Sequence, residues 1–417
     1  MEESVKIEKL GNIVDVKGGK RLPKGISLIS TPNNHPYIRI RDLGASKILE
    51  LNSAYEYVDD ETQKTIARYI VSSGDILISI VGTIGLVGIV GDSLHGANQT
   101  ENCVKLVNLK GIDRDYLYYF LSSNLGQNEI KRGIVGAVQS KLPIKNIENI
   151  NIPLPSLALQ KSIASILSSL DSKIELNRRI NDNLEQQAQA LFKSWFVDFE
   201  PFNGEKPSNW SYCKIKNLHH IIETGKRPKG GVAHIKQGIP SIGAESIKGI
   251  GYYDYSKTKY ISNEFASSLK KGKIHDYDLL IYKDGGKPGY FIPNFSIMGE
   301  GFPFDTMYLN EHVFRLDLGS SGMNIFAYFY FQTDEIINML ESVGGKAAIP
   351  GINQQNIEDL EILSPDIDYV QRYGELVYPI FKSILQNCRE NAKLEKIRDA
   401  LLPRLMSGEL KIYDLNC

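Results

Sequence analysis

The sequence predicts an α+β chain: two pseudo-two-fold-related mixed α/β domains separated by two long antiparallel helices that form a coiled coil. Three observations predict it. A long amphipathic pattern runs from about residue 157 to 196, and a second from about 367 to 402. At an offset of 210 residues the two share Ile174/Ile384, Asn177/Asn387, Arg179/Arg389, Asn181/Asn391, Leu184/Leu394, Glu185/Glu395, Ala190/Ala400 and Leu191/Leu401. Each follows a stretch of short β-branched and aromatic runs broken by Gly, Pro, Asn and Asp, the pattern of short strands and turns.

The first domain is placed at 1–155, with strand-like runs at 37–40, 76–80 and 104–109 and an aromatic-faced helix at 115–122. Its longest apolar stretch, 76–91, carries Gly82, Gly85 and Gly88 and is too short to span a bilayer, so it reads as two buried strands joined by a glycine turn. The central helix follows at 156–202, with Pro153 and Pro155 at its entry and Ser156 as its cap. Its seam passes through 163, 167, 170, 174, 177, 181, 184, 188, 191 and 195, alternating steps of four and three as knobs-into-holes packing requires. About 40 residues at 1.5 Å each give a helix of about 60 Å.

Pro201, Asn203, Gly204 and Pro207 end that helix and open the second domain, 203–365, which has runs at 279–282 and 313–316 and a helix at 325–332. The last segment, 366–417, is the second spacer helix and a tail; Pro379 is expected to kink or split it, and Pro403 to stop or bend it. The duplication reaches beyond the helices. Asn146-Ile147-Glu148 matches Asn356-Ile357-Glu358, Gly19-Lys20-Arg21 matches Gly225-Lys226-Arg227, and Asp75-Ile76-Leu77-Ile78 matches Asp278-Leu279-Leu280-Ile281. Asn177, Asn181, Asn387 and Asn391 fall on the seam, where buried Asn costs stability but fixes register and partner. A helix that leaves the first domain needs a returning antiparallel partner, so the direct repeat closes on itself.

Composition is that of an ordinary globular protein, with 42% apolar and 23% charged residues. Four scattered cysteines without a C-x-x-C pair argue against a zinc site or a disulfide framework and fit a reducing, cytoplasmic setting. The acidic N-terminus lacks a signal-peptide core, and no membrane segment is expected. Net charge is −1, yet residues 203–299 hold 15 Lys/Arg against 8 Asp/Glu, which allows one basic face.

No catalytic constellation is visible. Gly82-Thr83-Ile84-Gly85 lacks the Lys-Ser/Thr of a phosphate loop, and there is no G-x-G-x-x-G, H-E-x-x-H or G-x-S-x-G. Asn34-His35-Pro36-Tyr37 lacks the second proline of the amino-methyltransferase N/D-P-P-Y/F element. Tyr252, Tyr253 and Tyr255 could stack on an extruded base, but packing is the favoured reading.

Pro153-Leu-Pro-Ser-Leu-Ala-Leu-Gln160, Ile166-Leu-Ser-Ser-Leu-Asp-Ser-Lys-Ile174, and Asn177-Arg-Arg-Ile-Asn-Asp-Asn-Leu-Glu185 through Phe192-Lys-Ser-Trp-Phe196 stand out in the first helix. Together with the hairpin Gly74-Asp75-Ile76-Leu77…Gly82-Thr83-Ile84-Gly85 and the C-terminal Leu394-Glu-Lys-Ile-Arg-Asp-Ala-Leu-Leu402…Leu405-Met-Ser-Gly408-Glu409-Leu410, they resemble type I restriction–modification specificity subunits. The resemblance spans the chain and is sharpest in the helices. It implies two target-recognition domains, each reading one half of a split, asymmetric site in double-stranded DNA. It further implies a helical ruler that docks two methyltransferase and two endonuclease–translocase subunits. The chain itself would be non-catalytic, with S-adenosylmethionine, ATP and Mg on its partners.

Half-sites read from one side of B-DNA lie about 34–36 Å apart per turn, within the reach of such a helix. Base and phosphate contacts favour Arg and Lys in glycine-freed loops. The candidates are Lys20, Arg21, Lys24, Arg39 and Arg41 in the first domain, and Lys226, Arg227, Lys229, Lys283 and Lys287 in the second; solvated surface is the competing reading for each. A coiled-coil scaffold joining two protein-binding domains is the rival, excluded by DNA retention that requires a split sequence. A self-sufficient nuclease is the other rival, and activity of the purified chain alone would support it.

Overall fold

A computed structural model describes residues 6–44, 46–285, 289–345 and 350–410. The chain forms two compact units, Met1–Glu175 with Leu394–Cys417, and Leu176–Lys393.

In the first unit a five-stranded sheet has the spatial order Asp15–Gly18, Cys103–Val107, Ile76–Ser79, Val87–Val90 and Ile48–Leu49, antiparallel except for the last pair. All four residues of Ile76–Ser79 are buried because the sheet is covered on both faces. Ile76 and Ile78 join a core with Tyr116 and Phe120, whereas Leu77 joins Ile38, Leu94 and Cys103 on the other side. A strand with two cores reads as a continuous apolar run, not an alternating one. The expected hairpin is present: Ile76 pairs with Ile89 and Ile78 with Val87. Gly82 (φ 72°) and Gly85 (φ 92°) supply the left-handed backbone at its turn. Beside it lie a three-stranded sheet, Glu56–Tyr57, Pro36–Ile38 and Asn98–Gln99, and an antiparallel pair, Lys6–Lys9 with Asn151–Leu154.

The second unit repeats this topology. Ile221–Thr224, Val313–Asp317, Leu279–Tyr282 and Phe295–Ile297 form the main sheet, in the order of their first-unit counterparts. Lys259–Ile261, Ile239–Ile242 and Tyr308–Leu309 form the smaller sheet, and Ser211–Lys214 pairs with Glu361–Ser364. The duplication extends to a buried ion pair between adjacent strands. Arg315 and Asp278 meet at 2.7 Å, with Glu223 3.2 Å from the same guanidinium; Lys105 and Asp75 occupy the equivalent places at 3.4 Å. Burial works against the Arg315 charge, but the Asp278 and Glu223 carboxylates outweigh it and hold its pKa above the ordinary value.

The long helices are Leu157–Phe196 and Ile367–Ser407. Ser156 Oγ accepts the Leu159 N–H at 3.4 Å at the first helix's entry. None of the ten seam positions of the first helix is exposed. Asn177 opposite Asn391 and Asn181 opposite Asn387 make the pairing antiparallel in the second unit. In the first unit, Asp171 opposite Arg398 has the same sense, at 2.9 Å.

Of the expected effects, kinking or splitting at Pro379 and stopping or bending at Pro403, the split and the stop are corrected: the helix runs unbroken through both residues. Pro379 lies on the exposed face, as does Glu375, whose carbonyl loses its helical donor and can be satisfied by water. On the opposite face Tyr373, Val377, Phe381, Ile384 and Leu385 are buried, and their packing holds the helix together across the defect.

Candidate nucleic-acid interface and helix seam

The Gly-Lys-Arg repeat occupies the same structural position in each unit. Gly19 donates its N–H to Cys103 O at 3.2 Å, and Gly225 donates to Asn310 O at 3.0 Å. A Cβ would sit 2.0 Å from Thr100 O at Gly19 and 1.8 Å from Leu309 O at Gly225, so only glycine lets the loop cross so close to the neighbouring strand. Both loops then present exposed Lys-Arg pairs, Lys20-Arg21 and Lys226-Arg227. Arg21 Nε donates to Glu101 Oε1 at 2.6 Å, and Arg227 lies 3.7 Å from Glu311 at the equivalent place. Exposed ion pairs of this kind hold a side chain only weakly, because solvent screens them and ordering two long side chains costs entropy. Lys24 and Lys229 are exposed further along the loops, and Lys287 lies outside the described residues.

The remaining candidates sit in tighter surroundings. Arg39 and Arg41 converge on Glu56, Arg39 through NH1 and Arg41 through NH2 at 3.1 Å. Nε and NH2 of Arg39 are buried without a hydrogen-bond partner. Lys283 donates to Glu311 O at 3.0 Å and lies 5.4 Å from the centre of the Phe314 ring. Lys283 and Arg227 thus meet at the same glutamate. Tyr253 packs edge-on against Tyr255 and Phe304, while Tyr252 is exposed beside Lys248.

Asp42, next to Arg41, accepts the Arg39 N–H at 2.6 Å. Burial pushes its carboxyl up to about 6, against a smaller opposing pull from Arg41 and with a further push from Glu56. A carboxyl whose folded pKa is raised costs stability above that pKa, and the cost disappears as pH falls through it towards the unfolded value. Asp42→Asn is therefore expected to stabilise the first unit by about 1–3 kcal/mol at pH 7.5, with the gain shrinking between pH 6 and 4. Urea titrations at the two pH values check this; an equal gain at pH 4 contradicts it.

Residues that motif reading passed over complete the site. Thr100-Glu101-Asn102 and Asn310-Glu311-His312 lie at the same 210-residue offset as the helices and form the same inter-strand loop in each unit. His312 Nδ1 lies 2.5 Å from Asp284 Oδ1, and its Nε2 lies 3.4 Å from Glu311 Oε1. Their common offset was the signal that could have drawn attention to this loop. Among the described residues no cluster of three or more potential ligands could hold a metal ion. No helix is long and apolar enough to cross a membrane, again among the described residues.

In the second unit the four seam asparagines come together. Asn177 Nδ2 donates to Asn391 Oδ1 at 2.9 Å and to Glu390 Oε2 at 2.7 Å. Asn387 Nδ2 donates to Asn181 Oδ1 at 2.8 Å, and Asn181 Nδ2 reaches Cys388 Sγ at 3.2 Å. Sliding one helix past the other would leave these amides buried without partners, at roughly 1–3 kcal/mol for each orphaned group.

Residues 2–186 match the family model for the type I restriction modification DNA specificity domain. The chain is 32% identical over 373 aligned positions to the StySPI specificity subunit of a type I restriction enzyme from Salmonella potsdam, covering 82% of this chain and 75% of the relative. It is 25% identical over 447 aligned positions to the MjaIX specificity subunit of Methanocaldococcus jannaschii, covering 98% and 94%. Among solved structures, the S subunit of the type I restriction–modification system from M. genitalium superposes with a TM-score of 0.57 at 17% identity, covering 97% of this chain and 96% of that one.

Proposed function

Because the chain belongs to the type I restriction–modification specificity subunits, we propose that it reads a bipartite, asymmetric DNA target, one half-site for each of the domains 1–155 and 203–365. The observation that carries this reading is the duplicated loop. One scaffold, with glycine at the close approach and Lys-Arg beyond it, is built twice, while the residues around it differ: Thr100 and Asn102 in one copy, Asn310 and His312 in the other. Equal frames with unequal reading residues recognise unequal half-sites. The exposed Lys20, Arg21, Lys24, Lys226, Arg227 and Lys229 contact phosphates or guanine edges. The Asn177–Asn391 and Asn181–Asn387 pairs keep the spacer helices, 156–202 and 366–417, in register.

On this reading the chain supplies specificity and no bond-making chemistry. It acts in the cytoplasm with two methyltransferase subunits and two restriction–translocase subunits. S-adenosylmethionine, ATP and Mg are bound by those partners. A genome-wide map of N6-methyladenine tests this in cells that express the methyltransferase, with and without this gene. A split, asymmetric motif that disappears with the gene is the expected result. An unchanged map in those cells overturns the reading.

A further inference from the structure

We propose that His312, oriented by Asp284, reads a base in the second half-site by accepting a hydrogen bond from the exocyclic amine of an adenine or cytosine. The inference rests on the DNA-reading function proposed above and adds a residue and a chemistry to it.

His312 stands on the loop between the strands Tyr308–Leu309 and Val313–Asp317. Its backbone is tied at both ends: its N–H donates to Asn310 Oδ1 at 2.8 Å, and its carbonyl accepts the Lys283 N–H at 3.1 Å. The ring is 44% exposed, with Asp284 on Nδ1 at 2.5 Å. Asp284 is itself wedged, since a Cβ on neighbouring Gly351 would come within 2.6 Å of Asp284 Cβ. The imidazole is thus an exposed group on a rigid mount, as a reading residue must be.

Comparison of the two copies separates reading from support. Ile80 donates its N–H to Asn102 O at 2.8 Å just as Lys283 does to His312 O, so Asn102 and Val81 occupy the places of His312 and Asp284. Supporting residues recur in both units: Glu101 with Glu311, and Asp75 with Asp278. The Asp–His pair occurs in the second copy and not at the equivalent positions of the first. A group required by the scaffold would recur with the scaffold; a group that distinguishes two half-sites would differ.

The carboxylate on Nδ1 selects the tautomer with its proton there, which leaves Nε2 an acceptor. In that tautomer the lone pairs of Nε2 and Glu311 Oε1 face each other across 3.4 Å, an unfavourable contact that a donor entering between them relieves. In the major groove the donors that such a pair can meet are adenine N6 and cytosine N4. Arg227, 3.7 Å from the Glu311 carboxylate, offsets its charge near the DNA backbone.

The test is the methylation map of cells expressing the methyltransferase with the full-length chain carrying His312→Ala, His312→Asn or Asp284→Asn. The Asn variant places in the second copy the residue that the first copy carries. The expected result is an unchanged first half-site and relaxation at one position of the second, with discrimination there falling by about ten- to a hundredfold. Asp284→Asn should relax that same position. In binding assays with the purified methyltransferase complex, replacing that position's amine-bearing base by its analogue without the amine should weaken the wild type and leave His312→Ala unaffected. A second half-site read as strictly as by the wild type, or relaxation in the first half-site, overturns the proposal. Loss of all methylation in both His312 variants also overturns it, by making the residue structural. A wild-type chain that writes no split motif instead defeats the underlying DNA-reading function, a result distinguishable from the others.

Discussion

Replacing Asp278 with alanine is expected to destabilise the second unit by about 3–5 kcal/mol, because it leaves the Arg315 guanidinium charged in the sheet without its closest carboxylate. Arg315 and Asp278 side chains are only 5% and 2% exposed, so water cannot replace the lost partner. Asp278 also accepts the His275 N–H at 2.7 Å, and that donor is orphaned as well. The equivalent change in the first unit, Asp75→Ala, should cost less. Lys105 keeps a hydrogen bond to Ile70 O at 2.7 Å and is 16% exposed, so its flexible stem can carry the ammonium towards solvent. Hydrogen exchange of the strands Leu279–Tyr282 and Val313–Asp317, compared with Ile76–Ser79 and Cys103–Val107, resolves the two effects in one protein. Equal losses of protection in the two variants would contradict the argument.

Inserting four residues into the first long helix is expected to lengthen the unspecified gap of the DNA target by about one to two base pairs. Four residues add about 6 Å to a helix, against a rise of about 3.4 Å per base pair. A step of four also nearly preserves the phase of the seam, so the helix itself should survive. An insertion between Ile174 and Asn177 moves one side of the seam by about one turn relative to the antiparallel partner. The Asn177–Asn391 and Asn181–Asn387 pairs can then persist only if Asp171 and Arg398 part, or the reverse. A matching insertion before Leu394 should restore both sets while keeping the longer gap. The methylation motifs of the single and double insertions decide the point, and an unchanged gap in both would show that helix length does not set it.

The helices were the most legible part of the fold. The 3.5-residue seam alone marks residues 157–196, and the 40-residue helix Leu157–Phe196 follows it. A split at Pro379 does not follow from the sequence because the cost of proline depends on which face carries the freed carbonyl, and only the packing of Tyr373, Val377 and Phe381 settles that. The surroundings of Arg39 and Arg41 were not legible at all. Their shared partner Glu56 becomes adjacent through the antiparallel pairing of Tyr37 with Glu56, a register that no local pattern encodes. Lys283 has the composition of a surface cation, yet its ammonium lies over the Phe314 ring. Histidine has no periodicity to betray it, so His312 emerges only when the two copies are compared residue by residue.

The first compact unit contains both the beginning of the chain and residues 394–417. Leu405 and Met406 are buried in the same core as Ile163, Ala164 and Leu167. The part synthesised first is therefore the part completed last. At about 5–20 residues per second, the ribosome needs roughly 10–40 s to make the intervening 176–393, which contains the entire second unit. Throughout that interval the nascent first unit exposes the apolar groove that the C-terminal helix will fill. A premature stop within 176–393 thus damages the first unit, and the order of translation makes residues 394–410 its closing step.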